Sequence, residues 1–205
     1  MNTMTAVVAA AGVSLAVLTS SAQAQFEGPY VGVGIGMYRG TVTLKDEEEG
    51  DIENVGTDKH KAAFNLNGGY GHSFGNFHIA GELSYHSEFG RIAGSGRSGD
   101  RDLDELTLKL RNIIALSVLP GFKLNSNSLP YVRLGYVQAK LKGPQDINES
   151  FNGILWGIGV KQALSRNLVG TIEYQVLDLK RKNVQGTPTQ PTGTGLLIGV
   201  QYSFR

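Results

Sequence analysis

An alternation of period two runs through eight segments of this chain, and charge is confined to one of its two classes. In the first segment, Val31, Val33, Ile35 and Met37 alternate with glycines. The apolar class of the other segments comprises Phe64, Leu66 and Tyr70; Phe77, Ile79, Leu83 and Tyr85; Leu106, Leu108, Leu110, Ile114 and Leu116; Val132, Leu134 and Tyr136; Ile154, Trp156, Ile158 and Val160; Leu168, Ile172, Tyr174 and Val176; and Leu196, Ile198, Val200, Tyr202 and Phe204. No Asp, Glu, Lys or Arg falls in this class. Because side chains alternate between the two faces of a strand, the pattern predicts eight strands.

The residues that alternate with the apolar class indicate which face of the sheet lies inside the barrel and which lies outside. It consists of Gly, Ala, Ser, Thr and Asn with a few charged residues, which suits the narrow lumen of an eight-stranded barrel. Segments of about ten residues with an apolar outer class and a polar inner class are typical of transmembrane β-barrels. Lipid forces such a sheet to close, since an open edge would leave backbone groups unsatisfied. Asn112 falls in the outward class, so we expect a bulge or a parity slip there.

The connections alternate in length. Long, polar connections are expected at 41–61, 87–104, 142–151 and 180–194, and shorter ones at His72–Asn76, Pro120–Pro130 and Leu164–Asn167. Outer-membrane barrels place short turns in the periplasm and long loops outside. The prediction is therefore an all-β, eight-stranded antiparallel transmembrane barrel with short periplasmic turns, four long extracellular loops and both termini in the periplasm. A hairpin within the first long loop would raise the number of strands to ten.

Composition excludes several classes of protein. The chain has 19 Lys and Arg, 18 Asp and Glu, a net charge of +1 and no Cys. Without Cys there is no disulfide framework, thiolate zinc site or Cys nucleophile. The near-neutral balance disfavours nucleic-acid binding, and no stretch reaches the roughly 18 apolar residues of a transmembrane helix.

The N-terminal segment resembles an export signal. Ala6 to Leu18 is an apolar run, and Ala22 and Ala24 give the small-x-small form of a signal-peptidase site. We therefore expect a signal peptide at 1–24 and a barrel domain at 25–205. The alternative is an N-terminal arm of the folded protein.

Four motifs resemble one family of barrels. These are Gly28–Gly34 for the first strand, Pro130–Tyr136 for the fifth, Asn167–Tyr174 for the seventh and Leu196–Phe204 for the last. In order and spacing the chain resembles the OmpA-like, porin-family small outer-membrane β-barrels of Gram-negative bacteria, the group that includes opacity-type surface proteins. We expect the peptidoglycan-binding module of OmpA to be absent from this chain.

That resemblance implies a location and an assembly route. The location is the outer membrane, with its lipid and lipopolysaccharide as partners. The end of the chain resembles the signal that the barrel-assembly machinery recognises, carried here by Val200, Tyr202 and Phe204.

Several charged residues project inward by parity. They are Glu82, Lys109, Arg111, Arg133, Lys161 and Glu173, together with His78 and His86. Isolated charges in a confined lumen are expensive, so we expect a structural ion-pair network in which Glu82 and Glu173 pair with Arg111, Arg133 and Lys161. A functional reading of the same residues is a switchable plug whose re-pairing admits water and ions.

The sequence offers little support for catalysis. Ser84 and His86 resemble the Ser and His of small lipid-A-modifying barrels, but positions two apart on a strand lie nearly 7 Å apart, beyond hydrogen-bond reach. The His residues show no metal-ligand spacing, and no cofactor is indicated. We therefore predict that the protein is not an enzyme. The alternative is an outer-membrane lipid hydrolase.

Charged runs in the loops are the remaining candidates for binding. Asp46–Glu49 with Asp51 is acidic, and Lys180–Lys182 is basic. Such runs are usually solvated tips, but they could contact lipopolysaccharide, divalent cations or a host ligand. The predicted function is thus a structural and surface-interaction role in the outer membrane. A narrow pore for ions or small solutes would use the same lumen, and a soluble lipocalin-like barrel is a more distant reading of the same alternation.

Overall fold

The fold is an antiparallel sheet of long strands. The structure, a computed structural model, describes residues 26–45, 52–56, 61–94, 106–142, 148–184 and 187–204. Its strands are β1 (Gly28–Lys45), β2 (Ile52–Gly56), β3 (Lys61–Phe74), β4 (Phe77–Gly94), β5 (Leu106–Phe122), β6 (Ser128–Lys142), β7 (Asn148–Ala163), β8 (Leu168–Leu179), β9 (Lys182–Val184) and β10 (Thr187–Ser203). Within these residues, no helix is long and apolar enough to cross a bilayer. The predicted signal peptide and the acidic run of the first loop lie outside the described residues.

The sheet closes on itself as an eight-stranded barrel. The long strands pair in chain order, and β10 then pairs with β1, with Tyr30 opposite Ser203 and Leu44 opposite Thr189. The short strands β2 and β9 pair only with β1 and β10 respectively, so they extend the rim without entering the wall. The predicted eight-stranded antiparallel barrel is confirmed.

The predicted sidedness is also confirmed. On β1, Val31, Val33, Ile35 and Met37 are exposed while the intervening glycines are buried. The same holds around the barrel for the side chains that the structure describes, where the exposed large residues include Leu66, Leu83, Leu116, Leu134, Ile158, Tyr174 and Ile198. Leu106, Leu108 and Leu110 of the predicted outward class are not among them. Exposed aliphatic side chains of this number and continuity require a lipid surface.

The bulge predicted at Asn112 is present. Asn112 has φ of 52°, and the β5–β6 register shifts between Arg111 and Ile114. Two β5 residues, Asn112 and Ile113, therefore lie opposite Ala139 alone. The bulge reverses the alternation of β5 on its N-terminal side.

One end of the barrel carries the tight turns and the other the long connections. The turn end holds the Gly75–Asn76 turn, residues 123–127, residues 164–167 and both ends of the barrel sequence. At the opposite, loop end the strands run further than expected, since β1 reaches Lys45 and β4 reaches Gly94. Much of the four predicted long loops is therefore strand, because backbone pairing continues after the apolar alternation has ended.

Candidate functional site in the barrel lumen

Four charged side chains meet inside the barrel. Glu82 of β4, Arg133 of β6, Lys161 of β7 and Glu173 of β8 are each at most 4% exposed. Each lies on the inward parity of its strand, and the stagger of the sheet brings them to a common height. We call these four residues the lumen charge cluster.

Arg133 joins the two carboxylates. Its Nη2 donates to Glu82 Oε1 at 2.7 Å, and its Nε donates to Glu173 Oε1 at 2.5 Å. A second hydrogen bond runs from Nη2 to Glu173 Oε2 at 3.0 Å. One guanidinium therefore bridges strands on different sides of the lumen, a geometry that the planar five-donor group allows and that an ammonium would not reproduce.

Tyrosines complete the cluster. The Tyr30 hydroxyl donates to Glu82 Oε2 at 2.9 Å, and the Tyr131 hydroxyl donates to Glu173 Oε2 at 2.5 Å. Lys161 Nζ lies 4.5 Å from the centroid of the Tyr30 ring and 5.5 Å from that of Tyr131. Its positive charge is thus stabilised over aromatic faces. The cluster thus contains two carboxylates and two cations, and their formal charges cancel.

A neutral polar network continues toward the loop end. Gln175 donates to Glu173 Oε1 at 3.0 Å and accepts from the Tyr38 hydroxyl at 2.9 Å. The Tyr38 hydroxyl also lies 3.3 Å from His86 Nδ1, and Asn65 contacts the same imidazole. The tyrosines and Gln175 were not among the predicted site residues. Their inward parity was visible, since Tyr30 and Tyr38 share the glycine class of β1.

Apolar side chains cover this polar interior toward the loop end. A buried cluster there combines inward residues of several strands: Tyr38, Ala63, Ile113, Ala115, Val137, Ala139, Phe151, Leu155, Leu177 and Leu179. We call it the upper apolar layer. It corrects the expectation that the inner class would be only small or polar.

A second apolar group covers the turn end. Phe26 packs with Leu129 and Val169 across the mouth, and its ring meets His78 edge-on at 6.2 Å between centroids. The adjacent Glu27 pairs with Lys123 at 3.3 Å. Slight burial raises the pKa of Glu27, but hydrogen bonds from Lys123 and Ser73 outweigh it and leave the pKa lowered. The N-terminal end of the barrel sequence is thus fixed across the opening.

One member of the predicted network lies away from the cluster, and a second is not described. Arg111 is exposed, because the bulge at Asn112 turns it to the outer face; its predicted pairing with Glu82 and Glu173 is wrong. Lys109 belongs to β5, but its side chain lies outside the described residues. Lys161 joins through tyrosine rings and has no direct ion pair among the contacts of the described residues.

Ser84 and His86 lie closer than strand spacing suggested. Ser84 Oγ is 3.5 Å from His86 Nε2, because both side chains lean toward each other on the same face. Both are buried beneath the upper apolar layer. In the described part of the chain, no three His, Cys, Asp or Glu side chains form a group that could hold a metal.

The residues of the predicted assembly signal lie on the outer surface. Val200, Tyr202 and Phe204 all face outward and are about half exposed. The rings of Tyr202 and Phe204 are 5.2 Å apart, and the Phe204 amide donates to the Pro29 carbonyl at 2.9 Å. The last strand is therefore joined to the first at the turn end.

Solved structures similar to this one are small outer-membrane barrels. Neisserial surface protein A matches with a TM-score of 0.53 and 14% identity, covering 87% of this chain and 98% of that chain. OprG from Pseudomonas aeruginosa matches with a TM-score of 0.53 and 12% identity, covering 89% and 99%. AlkL, solved in lipid bilayers, matches with a TM-score of 0.52 and 13% identity, covering 92% and 95%. At these identities the likeness shows the fold alone.

Sequence comparison identifies the family. No curated protein sequence matches the chain significantly, whereas the model of the outer membrane protein beta-barrel domain matches residues 5–204. Together with the closed barrel and its apolar outer face, this match locates the protein in the outer membrane of a Gram-negative bacterium. The chain belongs to the outer membrane protein beta-barrel domain family.

Proposed function

We propose that the protein is a sealed, non-enzymatic barrel that displays its loop-end strands and loops at the cell surface. The observation that carries this proposal is the layered interior, in which the lumen charge cluster lies between the Phe26 group and the upper apolar layer. An ion crossing the lumen would have to leave water and pass both apolar groups. Desolvating an ion costs several kcal/mol even after relaxation.

The loop end offers the surface for interaction. Strands such as β1 and β4 have 18 residues, whereas a membrane crossing needs about 9–11. The excess projects beyond the membrane as a rigid rim, and binding commonly resides on loops held by such a scaffold. Lys180 and Arg181 are exposed on this rim, and they are candidates for contact with an anionic ligand.

Single-channel recording in planar bilayers tests the seal. We expect wild-type protein to give no steady conductance. Leu155 and Leu177 are fully buried and directly opposite each other on β7 and β8, so Leu155→Ser/Leu177→Ser should hydrate the upper apolar layer and produce current. The lipid-facing pair Val118→Ser/Leu134→Ser is the matched control and should remain closed.

A narrow pore is the second candidate. It is favoured by buried polar atoms that have no hydrogen-bond partner, namely Ser117 Oγ, Arg133 Nη1 and Thr171 Oγ1. Such atoms attract water, and a chain of waters could link them. Steady conductance from wild-type protein in the same recording would contradict the seal and support the pore.

The absence of enzymatic activity has its own test. A nucleophile must reach its substrate, and Ser84 is only 2% exposed inside the lumen while lipid acyl chains lie outside the wall. We expect lipid A to be unchanged when wild-type protein is overproduced. Altered lipid A that reverts with Ser84→Ala would instead identify a lipid hydrolase.

A further inference from the structure

The pairing of β7 with β8 stops before β7 reaches its loop end. The last residues paired in register are Gly153 and Leu179, and one further hydrogen bond of 2.8 Å runs from the Lys180 amide to the Asn152 carbonyl. Beyond this point, residues 148–151 of β7 remain paired with β6 on one side. On the other side, none of the residues that the structure describes pairs with them. This stretch of β7 is therefore a free strand edge.

The alternation of the backbone shows which groups this edge presents. In a strand, the N–H and C=O of one residue point to the same side, and successive residues point to opposite sides. Because the Asn152 carbonyl accepts a hydrogen bond from the β8 side, Ser150 and Asn148 present their N–H and C=O groups on that side as well. Glu149 and Phe151 present theirs to β6. The free edge thus offers the donors and acceptors of Asn148 and Ser150 in a row.

The chain that follows β8 cannot satisfy these groups, because its own groups are out of phase. In β9, Asn183 is opposite Pro188 of β10. Since Pro has no N–H, these two cannot be a mutually hydrogen-bonded pair, so Lys182 and Val184 bond to β10 and the Asn183 groups point away from it. Continuing the β7–β8 register would place Ser150 opposite Lys182, whose groups are already used by β10. The ladder therefore ends, and two unpaired edges remain on either side of the gap.

These edges lie beyond the apolar outer surface. Ile154 is the last apolar residue on the outer face of β7 toward the loop end, and the exposed polar residues Asn152 and Ser150 follow it. Unpaired backbone groups are not tolerated in lipid, but in water they form a template for pairing with another chain. We call the backbone groups of Asn148 and Ser150, together with those of Asn183, the open edge.

The charges beside the open edge favour an acidic partner. Lys140 of β6 is exposed next to it, and Lys180 and Arg181 are exposed where β8 leaves β7. The exposed Asp178 carboxylate already accepts a hydrogen bond of 3.1 Å from Gln190. Among the described side chains around the open edge, cations therefore outnumber anions.

We propose that the open edge binds an extended, acidic peptide segment of another protein by strand addition. In this mode of recognition, main-chain hydrogen bonds supply affinity and alternate side chains supply specificity. The peptide pairs with Asn148 and Ser150 along β7, and its carboxylates lie near Lys140 and Lys180. The inference rests on the proposed display of the loop-end strands at the cell surface, and it holds whether or not the lumen conducts.

A labelled peptide tests the open edge. The probe is a fluorescent peptide of about eight alternating Val and Glu residues, which suits a single strand, and its binding to refolded protein in detergent is followed by fluorescence anisotropy. We expect binding that weakens with salt, weaker binding when Lys replaces Glu in the peptide, and no binding when Pro replaces Val. Ser150→Pro should weaken the affinity at least about tenfold, because it deletes an edge donor and places a ring against the incoming strand. Ser150→Ala keeps the N–H and should bind as wild type does.

Amide hydrogen exchange measured by NMR locates the peptide on the protein. Without peptide, the amides of Asn148 and Ser150 should exchange freely, while those of Glu149 and Phe151 are protected by their bonds to β6. Adding the peptide should slow exchange at Asn148 and Ser150.

Three results would overturn the proposal. Wild-type affinity in Ser150→Pro would show that the peptide binds elsewhere, and so would unchanged exchange at Asn148 and Ser150 when the peptide is bound. Protection of the Ser150 amide without peptide would show that this chain or a second copy already covers the edge. Absence of peptide binding in a barrel that gives no conductance would overturn this inference alone, whereas conductance with intact peptide binding would overturn the seal alone.

Discussion

Replacing Arg133 by methionine is expected to lower the free energy of unfolding of the barrel by roughly 3–5 kcal/mol, the range for breaking a buried ion pair by removing one partner. Methionine keeps the unbranched stem of the side chain as far as the position of Nε but supplies no donor. Glu82 and Glu173, each at most 1% exposed, would then lose the guanidinium that bridges them. Lys161 alone cannot compensate, because its ammonium lies over the tyrosine rings.

Urea unfolding from lipid vesicles measures this effect. Trp156 is the single tryptophan and faces outward, so its fluorescence reports departure from lipid. Arg111→Met is the matched control, and as an exposed substitution it should change stability by no more than about 0.5 kcal/mol.

A double variant decides whether charge is the cause. Arg133→Met/Glu173→Gln leaves Glu82 and Lys161 as one carboxylate and one cation, so the cluster is again neutral, and it should recover much of the loss because the penalty of Arg133→Met comes from uncompensated buried charge. A double variant as unstable as Arg133→Met would mean that Arg133 acts through packing, and the electrostatic account of the cluster would be wrong.

The alternation of the sequence was sufficient to predict the wall of the barrel. Lipid excludes charge from the part of each strand's outer face that lies in the membrane, so each strand carries the same constraint there, and β1 with Val31 to Met37 is the clearest example. Asn112 was recognised because it broke that rule. The outward position of Arg111 was not predicted. A bulge shifts the register by one residue, so the residues that precede it lie on the opposite face of the sheet from the one that simple alternation predicts.

The interior was harder to predict than the wall. Near the loop end, β7 and β8 carry aliphatics in both classes, such as Leu155 beside Ile154 and Trp156. The alternation of residue types then no longer shows which side chains face lipid and which face the lumen. The Arg133 bridge joins β6 to β4 and β8, and its geometry depends on two successive registers on either side. A chain sequence specifies each register only weakly before the sheet has closed.

Replacing Gly195 by alanine is expected to destabilise the barrel by about 2–4 kcal/mol, although alanine is ordinarily favoured over glycine in a strand. Gly195 of β10 is opposite Tyr38 of β1, and a Cβ at position 195 would overlap the Tyr38 ring and lie 2.7 Å from the Met37 carbonyl oxygen. Overpacking a core costs about 1–3 kcal/mol. Displacing Tyr38 also removes its hydrogen bond to Gln175, which contributes about 1 kcal/mol.

The same urea unfolding experiment distinguishes this clash from a general effect of glycine. Gly81→Ala is the control, because no atom lies within 4 Å of a Cβ built there, and it should leave stability unchanged or slightly increased. In a Tyr38→Ala background, Gly195→Ala should cost far less, since the ring that it displaces has gone. An equal loss in both backgrounds would show that the β1–β10 backbone, and not the Tyr38 ring, is what requires glycine at this position. Because β1 and β10 form the seam that closes the barrel, the comparison also measures how strongly packing in the lumen stabilises closure.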